Sequence, residues 1–75
     1  MIVRRGRVLR FVEVKEKRGD RFGDPLAMVT GEKQRRVRRA AEAWLAVRPE
    51  LAALEVGFDV VAVRDGRVER VRDAF

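Results

Sequence analysis

Residues 8–16 read Val-Leu-Arg-Phe-Val-Glu-Val-Lys-Glu. In an extended chain this alternation sets Val8, Val12 and Val14 on one face and Leu9, Phe11, Glu13 and Lys15 on the other. Apolar residues on both faces describe a strand covered on both sides. Ahead of it, Ile2-Val3-Arg4 is joined through Arg5-Gly6, where glycine takes the positive φ of a tight turn, so the first two strands form a hairpin. Beyond it comes a loop containing Gly19, Gly23 and Pro25, after which Thr30 caps a helix and Glu32 suits its positive end. Val37, Ala40, Ala41, Trp44 and Leu45 follow helical spacing, and Pro49 makes Arg48 the boundary. Leu51 to Leu54 adds a short helical turn, and Val56 to Val63 reads as a second largely buried strand. Asp65-Gly66 then signals a type I′ hairpin into Arg67 to Val71. The order is ββαββ, an α/β or α+β arrangement of one sheet and one main helix, with residues 1–75 forming a single unit.

Composition bounds what such a unit can be. A core of 75 residues supplies only about 3–5 kcal/mol, so small scaffolds lean on disulfides, a metal or a partner. With no cysteine and no histidine, this chain has neither a disulfide nor the usual ligands of a structural zinc. Its stability must come from packing or from another chain. No apolar run approaches a signal peptide or a membrane span, which sets the expectation of a cytoplasmic protein without membrane partners.

The net charge of +6 is unevenly placed. Residues 1–24 hold eight Lys/Arg against four Asp/Glu, residues 25–48 six against two, and residues 49–75 four against six. All of the excess lies in the first two thirds. A face of that kind suits phosphate, because neutralising phosphates releases counterions without any sequence readout. An arginine-heavy solvated surface has the same composition.

At Phe11-Val-Glu-Val-Lys15 the pattern becomes specific. With Arg21-Phe-Gly23, Lys33-Gln-Arg-Arg36 and Phe58-Asp-Val-Val61 following in order, and Asp73-Ala-Phe75 at the end, the chain resembles the YraN family of predicted endonucleases. That family in turn resembles archaeal Holliday junction resolvases within the PD-(D/E)XK nuclease superfamily. The resemblance covers the whole chain and implies a restriction-endonuclease-like (tRNA endonuclease-like) core with a mixed sheet. It departs at the front, where family members carry a first helix and a Gly-Glu-Ile-Asp-Leu-Ile strand. Ile2 matches the last isoleucine of that strand, and the aspartate would fall one residue before Met1. Two expectations follow: a start assigned at an internal methionine, or a truncated protein.

Taken alone, Glu13 and Lys15 read as an ordinary ion pair on a strand surface, worth at most about 1 kcal/mol. The resemblance implies more. Glu13 would hold Mg²⁺ or Mn²⁺ with help from the Val14 carbonyl, and Lys15 would orient water or stabilise the transition state, the two side chains lying about 6.6 Å apart on one face. Phosphodiester hydrolysis needs such an ion to lower the pKa of water and offset phosphoryl charge. Mg²⁺ asks for several hard oxygens, so a single carboxylate makes a weak or absent site.

Helical geometry turns Gln34 and Lys33 toward the same strand, where Gln34 is a third candidate catalytic residue holding a water or a phosphate, unless the helix start frays. Lys17, Arg18, Arg21, Phe22, Lys33, Arg36 and Arg38 are the candidate nucleic-acid contacts, Phe22 by stacking. Trp44 reads as core. Asp59, inside an apolar strand, would pair with an arginine of a neighbouring strand or structure the site from behind. The expected function is that of a metal-dependent endonuclease-like protein acting on or binding duplex or branched DNA. The alternative is a non-catalytic nucleic-acid-binding or assembly module. Without its first helix and outer strand, the sheet would leave an apolar face and an edge open, and a homo-oligomer is expected.

Overall fold

A computed structural model describes residues 1–17 and 30–75. Four strands and one helix follow in the expected order. They are β1 (Ile2–Arg5), β2 (Val8–Lys17), α1 (Gly31–Ala46), β3 (Glu55–Arg64) and β4 (Arg67–Val71). The sheet order is β1-β2-β3-β4. β1 and β2 are antiparallel, β2 and β3 parallel across the helical crossover, and β3 and β4 antiparallel. The sheet is therefore mixed, as the family resemblance implies.

Local chemistry sets the boundaries. In the first hairpin Arg5 pairs with Val8, so the turn is Gly6-Arg7, one residue later than Arg5-Gly6. Gly6 has φ +60°, which glycine adopts without a steric penalty. In the second hairpin Asp65 and Gly66 both have positive φ, as a type I′ turn requires. The Thr30 hydroxyl accepts from the Lys33 N–H at 3.2 Å and starts α1. The predicted turn over Leu51 to Leu54 is present, the Leu54 N–H donating to the Leu51 carbonyl at 3.1 Å, and it continues a 3₁₀ turn at Pro49–Leu51 that proline starts, as suits the first position of a helical turn.

One face of the sheet packs on α1. Leu9 and Phe11 of β2, Phe58 of β3 and Ala41 of α1 are buried together, with Val37, Trp44, Leu45, Leu54 and Phe75 around them. An aromatic row crosses this layer. Phe11 stacks on its register partner Phe58 at 5.5 Å, Phe58 stacks on Phe75 at 5.1 Å, and Trp44 meets Phe11 edge-on at 5.8 Å. Trp44 is thus part of the core, as expected. After β4 the chain runs on along β3, where the Ala74 N–H donates to the Phe58 carbonyl at 2.7 Å and delivers Phe75 to the row.

The second face corrects the expectation of a strand covered on both sides. Val12 is buried there, but Val14 is 48% exposed. Among the described residues no second layer lies on this face. Its interior is held instead by the charges around Asp59.

Candidate functional site

Beyond Val12, β2 outruns β1. Met1 and Val12 exchange hydrogen bonds through the Met1 amino group and carbonyl, and the described part of β1 goes no further. Glu13 and Lys15 thus stand on the helix-facing side of a strand whose β1 edge has no described partner, close to the start of α1. The Lys33 ammonium reaches the Glu13 Oε1 at 2.7 Å, and the Lys15 ammonium reaches the same oxygen at 3.3 Å. All three side chains are about one quarter to one third exposed. The ion pair to Lys33, ahead of that to Lys15, holds the Glu13 carboxyl below the ordinary carboxylate range against the opposing effect of burial. Two ammonium groups against one carboxylate leave a local positive surplus.

Two hollows adjoin this trio. One, of about 260 Å³, is mainly apolar and runs from Met1 and Ile2 past Glu13 to Val37 and Trp44. The other, of about 440 Å³, is lined by Lys33, Arg36, Val37 and Ala40. The Glu13 to Lys33 contact joins them.

The donor set falls short of an Mg²⁺ or Mn²⁺ site. No group of three His, Cys, Asp or Glu side chains comes together among the described residues. Glu13 with the neighbouring Val14 carbonyl would leave an octahedral ion mostly to solvent. The β1–β2 register adds one geometric fact. Ile2 opposes Phe11 and Arg5 opposes Val8, so a residue preceding Met1 in the same strand would lie opposite Glu13.

The other candidates are distributed unevenly. Gln34 is half-buried in the first turn of α1, beside Lys33. Arg36 is exposed at the rim of the basic hollow. Arg38 lies over the aromatic row, its guanidinium 4.9 Å from the centre of the Phe58 ring and 5.7 Å from that of Phe75. Lys17 ends β2, while Arg18, Arg21 and Phe22 lie outside the described residues.

Asp59 has the partners its burial demands. It is fully buried and accepts from Arg70 of β4 at 2.7 Å and 3.2 Å, from Arg10 of β2 at 3.3 Å and from the Asp73 N–H at 3.0 Å. Burial alone would raise this carboxyl, but the bonds from Arg70 and Asp73 and the two guanidinium charges hold it below its ordinary value. Arg10 also pairs with the Asp73 carboxylate. An arginine partner for Asp59 was legible in the sequence; Asp73 was not, because it reaches the site through a residue of positive φ beyond β4.

Among the described residues, no helix is long and apolar enough to cross a membrane. A family model described as "Uncharacterised protein family UPF0102" matches residues 1–63. The whole chain aligns with UPF0102 proteins of Saccharophagus degradans (39% identical, 64% of that protein's length), Geotalea uraniireducens (45%, 62%) and Frankia casuarinae (41%, 67%). It thus spans roughly two thirds of the length of these relatives. Four motifs in order, a mixed ββαββ sheet and matches of this extent agree, and the chain belongs to the UPF0102 family, the YraN-like family that its motifs resemble.

Proposed function

We propose that this chain is an endonuclease-like protein that binds DNA, duplex or branched, across the surface formed by β2 and the start of α1. The observation that carries this reading is the convergence of Lys15 and Lys33 on Glu13 beside a hollow edged by Arg36. A backbone phosphate entering there meets two ammonium groups and a guanidinium, and the single carboxylate fixes where the lysines stand. Binding of this kind is dominated by counterion release and weakens steeply with salt. Fluorescence anisotropy with duplex and four-way-junction DNA at rising salt tests it. Affinity should fall as salt rises and should fall further in Lys33→Ala. Absence of binding at low salt, or insensitivity to salt, refutes it.

Cleavage requires more than these residues supply. An Mg²⁺ or Mn²⁺ ion belongs to the reading only if a further carboxylate joins Glu13, and the position opposite Glu13 in an extended β1 is where one would be effective. A chain carrying aspartate immediately before Met1 should then cleave DNA with either ion, and Glu13→Ala should abolish cleavage. The second reading, a non-catalytic nucleic-acid-binding or assembly module, is favoured by the site's lack, among the described residues, of any group of three acidic, His or Cys side chains. Robust metal-dependent cleavage by the 75-residue chain, lost in Glu13→Ala, would reject it. Self-association belongs to both readings, since β1 is a sheet edge and Met1, Val3, Val14 and Val68 are exposed.

A further inference from the structure

The sheet carries a second basic hollow, on the face away from α1. Val3 opposes Arg10 and Arg5 opposes Val8 in the β1–β2 register; Arg10 opposes Gly57, two residues before Asp59, and Val61 opposes Arg70. Opposed residues share a face. These positions therefore lie together on the helix-free side, where a hollow of about 360 Å³ is lined by Val3, Arg5, Val8, Arg10, Arg70 and Arg72.

Two of the four arginines are fixed in place. The buried Asp59 carboxylate holds Arg10 and Arg70 from opposite strands, so both guanidinium groups are ordered before any ligand arrives. Each has five N–H donors, and the bonds to Asp59 and Asp73 use only some of them. Arg5 and Arg72 are exposed and make no ion pair among the described residues. Against the carboxylates of Asp59, Asp73 and nearby Glu55, four guanidinium groups still leave a positive surplus around one concavity. Planar forked donors of this kind match the oxygens of a phosphate group.

We propose that this hollow is a phosphate-binding site, separate from the Glu13 surface, in which Arg10 and Arg70 form a fixed floor and Arg5 and Arg72 close on the ligand. The ligand is a phosphate group, supplied either as a free phosphomonoester or within a nucleic-acid strand. The site does not rest on the reading of Glu13, since the two surfaces lie on opposite faces of the sheet.

Inorganic phosphate titrated into the full 75-residue chain, followed by the ¹H–¹⁵N resonances of the arginine side chains, tests the site. Saturable shifts of the Arg10 and Arg70 Nε signals are expected. The double variant Arg5→Gln/Arg72→Gln, which leaves the Asp59 network intact, should weaken binding at least about tenfold. A nucleoside 5′-monophosphate and a dinucleoside phosphate without a terminal phosphate then separate the two sources. Binding of the monoester alone assigns a small phosphorylated ligand, and binding of both assigns a strand. No saturable binding, or binding indifferent to the double variant, overturns the proposal. So do shifts confined to the Lys15 and Lys33 ammonium signals, which would place the phosphate on the other face.

Discussion

Asp59 shows how one residue can govern a molecule of this size. A carboxylate with no exposed surface is tolerable only when every lone pair is answered, and here Arg70, Arg10 and the Asp73 N–H answer it. Because its folded pKa is depressed, its contribution is fully present above the unfolded value of about 3.9 and is lost as pH falls through the lower folded value. Asp59→Asn should therefore cost about 1–3 kcal/mol at neutral pH, the range for charge-assisted hydrogen bonds lost to partly exposed arginines. It should also flatten the acid limb of a stability–pH profile measured by urea denaturation; an unchanged limb would show that other carboxylates dominate acid unfolding. Glu13 titrates in the same direction for a different reason, the Lys33 ammonium at 2.7 Å. Lys33→Ala should raise the Glu13 carboxyl toward its ordinary range in an NMR pH titration. If Glu13 does not move, the Lys33 contact does not control its charge.

Between elements, the coupling of β2 to β3 depends on the absence of one side chain. A Cβ on Gly57 would overlap the Arg10 terminal nitrogen and stand 2.7 Å from its guanidinium carbon. The obstacle is the far end of a flexible side chain, so Gly57→Ala would displace Arg10 from Asp59 and Asp73 rather than distort the strand. The expected destabilisation is about 1–3 kcal/mol, the range for a charge-assisted hydrogen bond lost from a buried partner. In an Arg10→Ala background the same substitution should cost markedly less. A double-mutant cycle in urea reads this coupling, and additive effects would mean that Gly57 is required by the backbone alone.

At the scale of the whole molecule, α1 is the one helix that covers a face of the four-stranded sheet among the described residues, while the other face exposes Val14 at 48% and Val68 at 69% among its charges. Exposed apolar sheet surface between the two edge strands, β1 and β4, invites pairing with a second chain. Sedimentation velocity at micromolar concentration should show a dimer or higher oligomer, shifted toward monomer by Val68→Glu. A wild-type chain that remains monomeric would remove self-association from the proposed function. Binding of DNA on the α1 side should survive this substitution, because Val68 and Lys33 lie on opposite sides of the sheet.

What could be read from the sequence alone were the features that nearest-neighbour chemistry controls. Thr30 begins a helix because its hydroxyl meets the Lys33 N–H, Asp65-Gly66 turns because both residues accept positive φ, and the β2 alternation selects Phe11 for the core. The order ββαββ and the juxtaposition of Glu13 with Lys15 follow from these rules over a few residues at a time. Tertiary structure decided what depends on register between distant strands and on the docking of α1. It brought Lys33 to Glu13, set Arg38 over Phe58 and Phe75, and joined Arg10 to Asp73 across 63 positions of sequence. Local pattern is silent on such meetings because a one-residue slip in strand pairing would send Glu13, Arg10 and Phe58 to the opposite face, and only the docking of α1 sets where Lys33 and Arg38 fall.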